Sequence, residues 1–304
     1  MAVGTLPSPG VGYDVEIPAP AAERSRVWSK LVHNPAAIAG TLVLLVVVVS
    51  ALGADWLAPH DPAKQSLIRR FTPPVWQAGG SAAYALGTDQ VGRDILSRMI
   101  HGARISLLVG TLAVVVSLLV GVTLGLLSGF RPGPIDTVIM TVVDITWSFP
   151  PLLLALAFVA ALGPSLVTIV LALGLTGWER YTRVVRAEVL VLREKEFIEA
   201  ARAMGLGATR IVLRHLLPNT VSSIVVLSTL QVAQAILQES ALSFLGVGSG
   251  SAYPTWGMMS ALGRDFVTVA WWLSTFPGFA ILVTVLAINL VGDRLRDALD
   301  PRSL

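Results

Sequence analysis

Cysteine is absent from this 304-residue chain, which removes disulfides, thiolate catalysis and Cys-ligated zinc. Charge is scarce too: Lys, Arg, Asp and Glu make up 13% of the residues, against roughly 25% in a soluble domain. No G-x-x-x-x-G-K-[ST] segment occurs, so the chain has no phosphate loop with which to hold ATP. The run Gly246, Gly248, Gly250 lacks the strand-turn-helix context of a nucleotide turn. No H-E-x-x-H segment occurs, and His33, His60, His101 and His215 are scattered, which argues against a metalloenzyme. Serines are many, but no histidine is placed near one by sequence, so a membrane enzyme has no visible catalytic set. A net charge of +3 is too small to point to nucleic acid. Residues 1–34 hold Pro7, Pro9, Pro18 and Pro20 but no apolar run that could serve as a cleavable signal.

What fills the chain is aliphatic. Hydrophobic residues are 54% of the total and aromatics only 7%, so Val, Leu, Ala and Ile dominate, as in helices that face lipid. A helix crosses the ~30 Å hydrocarbon core with about 20 apolar residues. Six stretches approach that length: about 36–53, 105–130, 136–162, 164–178, 220–239 and 268–291. The expected fold is an all-α integral membrane protein with six transmembrane helices and both termini cytoplasmic. Charge placement agrees. In that orientation the inner segments hold Arg24, Arg26, Lys30, Arg131, the eight basic residues from Arg180 to Arg214, Arg294, Arg296 and Arg302. The outer segments keep Lys64, Arg69, Arg70, Arg93, Arg98, Arg104 and Arg264. This is the positive-inside bias.

The expected organisation is a disordered cytoplasmic tail (1–34), a first span (35–53), an extracytoplasmic cap (54–104), a core of five spans (105–292) and a cytoplasmic tail (293–304). Within the cap, Asp89 to Arg104 has the pattern of an interfacial helix or of a solvated lead-in to the second span. The outer loop near 240–267 holds Tyr253 and Trp256 and is followed by Trp271 and Trp272, all suited to anchoring it at lipid headgroups. Asp144, inside the third span, either lines a pathway or pairs with a polar neighbour to fix helix packing. Glu239, at the outer end of span five, either orders the following loop or meets a delivering protein. Thr284 and Asn289 are placed to hydrogen-bond between helices.

The densest polar stretch, EAARAMGLGATRIVLRHLLPN from Glu199 to Asn219, lies between two spans and must sit in water. It reads as a hairpin of two short helices within 194–219. Phe197, Ala200, Ala201 and Met204 share one stripe of the first, and Glu199 and Arg202 take other faces. Gly205 suits a left-handed turn. Ala208, Ile211, Val212, His215 and Leu216 form the second stripe, Arg210 and Arg214 a basic ridge, and Pro218 the end. Periodicity alone fits either a hairpin gripped by a soluble partner or an amphipathic loop lying on headgroups.

Glu199-Ala200-Ala201, then Gly205 and Leu217-Pro218, resembles the EAA loop of ABC importer permeases. His215 stands where that pattern usually has an aliphatic residue. Three further segments resemble the peptide-importer branch: the first span with His60-Asp61-Pro62; Leu86-Gly87-Thr88-Asp89 with Gly92-Arg93-Asp94, Ser97-Arg98 and Gly102-Ala103-Arg104; and Glu239 with Leu242 to Gly246 and Pro254-Thr255-Trp256-Gly257. Together they are similar to the C-type permease subunit of dipeptide and oligopeptide importers, a branch whose relatives carry nickel chelates or glutathione.

The resemblance implies a type I ABC importer permease fold in a bacterial or archaeal cytoplasmic membrane. It also implies a sister permease, two ABC ATPase subunits or domains and an extracytoplasmic binding protein, with no cofactor on this chain and ATP and magnesium on the ATPases. Phe197, Ala200, Ala201 and Met204 would be the docking stripe, Gly205 the bend, Glu199 and Arg202 the polar rim, and Glu239 and Trp256 a loop facing the binding protein. An ATP-independent secondary transporter is the reading from another class; such a carrier usually embeds several ionisable groups, and here Asp144 is the chief one.

Overall fold

The computed structural model describes residues 35–248 and 254–299. The expectations for residues 1–34, Gly250, Tyr253 and Arg302 lie outside them. Among the described residues the fold is helical, with one isolated β-bridge between Thr88 and Asp94.

Helix α1 (Pro35–Leu52) exposes Leu42, Leu45, Val46 and Val49 and buries Ala37, Gly40 and Ala51. That small-residue face lets its backbone approach the last helix, with Gly40 beside the carbonyl of Ala287. Helix α2 (Ile95–Phe130) has 36 residues, ~54 Å at 1.5 Å per residue, so it projects beyond the apolar core. Its first turns belong to the stretch expected to be an interfacial helix or a solvated lead-in, and from Ile95 they are continuous with the span. Asp94 caps it by accepting from the Ser97 amide at 2.8 Å.

The cap is held by the residues that made the segment Leu86 to Arg104 distinctive. Asp89 accepts from the Arg93 amide at 2.9 Å and from Arg93 Nε at 2.6 Å. Gly92, at φ 76°, lies so close to the Ser66 carbonyl that any Cβ would be 1.9 Å from its oxygen. Arg104 donates to the carbonyls of Ala51 (2.8 Å) and Leu52 (3.2 Å) and to Asp55 (3.0 Å). It thereby caps the C-terminus of α1, where a cation is favoured. The same hydrogen bond holds the Asp55 carboxyl below its ordinary value.

Helix α3 (Pro134–Trp147) and helix α4 (Pro151–Leu162) stand where one third span was expected, and the chain bends by 89° between them. Pro150 and Pro151 have no N–H to donate and force the preceding residues away from helical geometry, so the span breaks there. Helix α5 (Leu166–Gly174) is only nine residues long, ~14 Å. It is followed by α6 (Trp178–Leu192). Among the described residues, four helices are long and apolar enough to cross a membrane, five if the bent pair counts as one.

Helix α6 follows α2 in the same direction. Gly121 meets Trp178 and Tyr181, Gly125 meets Val185, and Gly129 meets Val189, a glycine every fourth residue that brings two backbones together. A Cβ on Gly121 would stand 2.3 Å from the Trp178 carbonyl oxygen. Gly121→Ala is therefore expected to cost about 1–3 kcal/mol through forced displacement of α6. Thermal unfolding in detergent should show a lowered midpoint; an unchanged midpoint would mean that the two helices separate freely.

Helix α7 (Glu196–Ala203) opens the hairpin. The second hairpin helix does not end at Pro218: it runs on as α8, Ala208–Phe244, through a π-turn at Val212–Leu216. The wider turn accommodates a proline that has no amide hydrogen to give. Helix α9 (Trp256–Gly263) packs beside the first turns of α2, and α10 (Trp272–Leu299) is the last described helix, extending past the expected boundary at 292.

Trp256 and Trp272 are not headgroup anchors, being 3% and 4% exposed. The indole of Trp256 donates to the Met99 carbonyl at 2.9 Å, and that of Trp272 to the Thr88 carbonyl at 3.2 Å. Thr284 is buried on α10, but among the described residues its hydroxyl has no hydrogen-bond partner, contrary to the interhelical bond expected of it.

Candidate functional site

Two polar regions stand out: the hairpin after α6, and a face at mid-depth shared by α3, α6 and α8.

In α7, Glu196 and Glu199 fall in the first turn and Arg202 in the last, the arrangement the helix dipole favours. The inward stripe is Ile198 and Ala201, 0% and 1% exposed, packed with Val189, Ile211, Leu216 and Ile224. Phe197, Glu199, Ala200, Arg202 and Met204 are exposed, Met204 at 72%. Of the stripe expected to face a partner, Ala201 is turned into the chain's own core. It follows Ile198 by three residues on a helix, and the bulk of Ile198 selects that side for burial. The second stripe is used internally as well: Ile211 and Leu216 are buried, while Ala208 is exposed.

Gly205 adopts φ 78°, its amide donating to the Arg202 carbonyl (2.9 Å) while the Leu206 amide reaches Ala201 (3.1 Å), a left-handed close to the helix. Nothing lies within 4 Å of where its Cβ would be. The outer side of this bend is therefore open space bordered by Met204.

The polar face lies deeper. Ser117, midway between Arg104 and Arg131 on α2, donates to the Gly174 carbonyl at 2.7 Å. Beside it Arg180 Nη1 donates to Gln231 Oε1 at 2.8 Å, and Gln231 in turn reaches the Gly177 carbonyl at 3.5 Å. Gln234 and Gln238 continue the same side of α8, and with Thr176 they line a shallow, open cleft. Asp144 accepts from Arg183 Nη2 at 2.5 Å, and the same guanidinium lies 3.7 Å over the Trp147 ring. Asp144 is thus paired, and still 64% exposed on its side chain. Toward the end of α2, Arg186 grips Asp136 with two hydrogen bonds of 2.6 and 2.7 Å, and Ser128 donates to the same carboxylate.

Arg180, Arg183 and Arg186 had been assigned to an inner loop; they lie on a helix packed against a span. The glutamines were not singled out, although their spacing at 231, 234 and 238 inside an apolar run was a readable signal. Glu239 and Trp256 do not form an outward loop. Glu239 is 1% exposed and accepts from Ser243 at 2.8 Å, beneath α9. Trp56, Ile68 and Trp76 are among the large apolar side chains exposed in the segment between α1 and α2.

Long apolar helices around a polar face midway along them, with an exposed hairpin at one end, define a multi-pass membrane protein. The comparisons with known proteins narrow that class. The chain belongs to the family described as binding-protein-dependent transport system inner membrane component, which matches residues 121–304. Residues 24–74 match the N-terminal TM domain of oligopeptide transport permease C. It is 46% identical over 275 residues to the di/tripeptide transport system permease protein DppC of Pseudomonas aeruginosa, covering 90% of this chain and 91% of that one. Against the dipeptide transport system permease protein DppC of Escherichia coli K12 the identity is 46% over 288 residues, 95% of this chain and 96% of the relative. Among solved structures, the inward-facing MetNI methionine ABC transporter aligns at 20% identity with a TM-score of 0.56, covering 68% of this chain and 98% of that one, which shows a shared fold.

Proposed function

We propose that this chain is the membrane-spanning subunit of an ATP-driven importer of di- or oligopeptides in a bacterial or archaeal cytoplasmic membrane. The observation that carries the reading is 46% identity along nearly the whole chain to two peptide permeases, together with a hairpin whose exposed side chains have no partner helix. On this reading the chain crosses the membrane six times with both termini inside; the bent pair α3–α4 is one crossing, and α5 with the first turns of α6 is another. A sister permease covers the polar face, and a binding protein delivers the peptide from outside.

ATP and magnesium bind two ATPase subunits, and this chain contributes no catalytic group. Phe197, Ala200 and Met204 seat in an ATPase groove, Glu199 and Arg202 rim the contact, and Gly205 lets the chain bend away from it. Closure of the ATPases then moves α7, which is continuous in packing with α6 and α8 through Ile198, Ala201, Ile211 and Leu216.

Reconstitution into vesicles with the partner subunits tests this. Labelled dipeptide is expected to accumulate only with ATP and binding protein present. Accumulation driven by this chain alone without ATP would replace the reading with a secondary transporter, and stimulation only by a nickel chelate or glutathione would replace the substrate.

A further inference from the structure

The cleft lined by Arg180 and the three glutamines lies at mid-depth, where an ionised side chain is expensive and is retained for a function. Its depth follows from its neighbours. Ser117 is midway along the apolar run of α2, and a Cβ on Gly177 would meet both Ser117 Oγ (2.9 Å) and Gln231 Nε2 (3.2 Å). Arg180 is held there but not saturated. Among the described residues it donates one hydrogen bond, to Gln231, and the nearest carboxylate, Glu179, is 3.9 Å away, beyond hydrogen-bond reach. Glu179 is itself 1% exposed, with one oxygen lacking any hydrogen-bond partner. The Arg180 side chain is 37% exposed toward the cleft side. A guanidinium has five N–H donors in a planar fork, which matches a carboxylate bidentately.

Gln231 and Gln238 are two turns apart on α8, ~10 Å, and Gln234 lies between them on the same side. Each amide offers a donor and an acceptor, the complement of a peptide group in any sequence. An extended dipeptide is about 7 Å long and fits this row.

Resting on the importer reading above, we propose that Arg180 receives the carboxylate end of a transiting short peptide while Gln234 and Gln238 hold its main chain. The polar contacts then fall on groups that all peptides share, and the side chains are left unread. Arg180 would be a specificity-determining residue for a free carboxyl end.

The test uses the reconstituted complex and two dipeptides with both termini free, with a photoreactive side chain on the carboxyl-terminal or on the amino-terminal residue. In the unaltered complex the carboxyl-end probe is expected to label α6 and α8 around Arg180 and Gln231, and the amino-end probe to label elsewhere. Arg180→Gln is expected to lower both that labelling and dipeptide uptake at least tenfold, and Arg180→Lys to retain much of the labelling. Gln234→Ala removes an exposed side chain and keeps the test alive if Arg180 variants fail to assemble; it should raise the half-saturating peptide concentration several-fold. Labelling unchanged in Arg180→Gln and Gln234→Ala, or confined to the sister subunit, overturns the site while leaving the importer reading intact. No ATP-dependent peptide uptake by the unaltered complex overturns that reading and the site with it.

Discussion

Gly205→Val is expected to reduce ATP-driven uptake at least tenfold while the chain still inserts and assembles. The expectation rests on two properties of the bend. The residue sits at φ 78°, a conformation that costs an L-residue roughly 1–2 kcal/mol and that a β-branched side chain resists most. Among the described residues, the bend's own chain neighbours aside, no atom lies within 4 Å of the new Cβ, so the substitution disturbs none of their packing, and its bulk points to where a partner would lie. A tenfold loss corresponds to about 1.4 kcal/mol of coupling, which is within reach of a small tilt of α7. Uptake and membrane abundance, measured on the same vesicles, separate a coupling defect from a folding one. Near-normal uptake would remove Gly205 from the coupling path.

A second large effect is expected where α3 meets α6. Arg186 and Asp136 form a two-bond pair, with side chains 28% and 13% exposed, and Ser128 completes the carboxylate. Removing one partner of such a pair leaves a charge with nothing to balance it, a loss of about 3–5 kcal/mol when fully buried and somewhat less here. Arg186→Met should therefore lower the yield of folded protein sharply. Asp136→Asn combined with Arg186→Met should recover part of it, because the stranded carboxylate is gone. A double variant no better than Arg186→Met would show that the pair is not coupled. The pair ties α3, which carries Asp144, to the helix leading into the hairpin, so its loss should also weaken uptake per folded molecule.

The hairpin was legible in the sequence because charge between apolar runs has only one place to go. Its docking side was less so: the repeat Phe197, Ala200, Ala201, Met204 is a fair stripe, but Ile198 is the larger anchor and carries Ala201 inward with it. Glu239 and Trp256 misled for a related reason. A carboxylate and a tryptophan near a span's end read as surface, yet α9, which begins at Trp256, packs over Glu239, and the Trp256 amide donates to Ser106 Oγ, joining residues far apart in the chain. Pro150-Pro151 was visible as a break but was passed over inside a long apolar stretch. The glutamine row went unnoticed because neutral amides carry no charge to mark them, and only the arrival of Arg180 beside Gln231 gives them meaning.

The coupling claim can be tested directly because the chain has no native cysteine. A photoreactive maleimide on Met204→Cys, attached before assembly with the partner subunits, places one probe on the exposed edge of α7. The account predicts an adduct with an ATPase subunit whose yield changes between ATP-bound and ATP-free states, and no such adduct from a probe on Ile198→Cys. Adducts with lipid alone, in both states, would contradict it and leave the hairpin an amphipathic loop on the membrane surface.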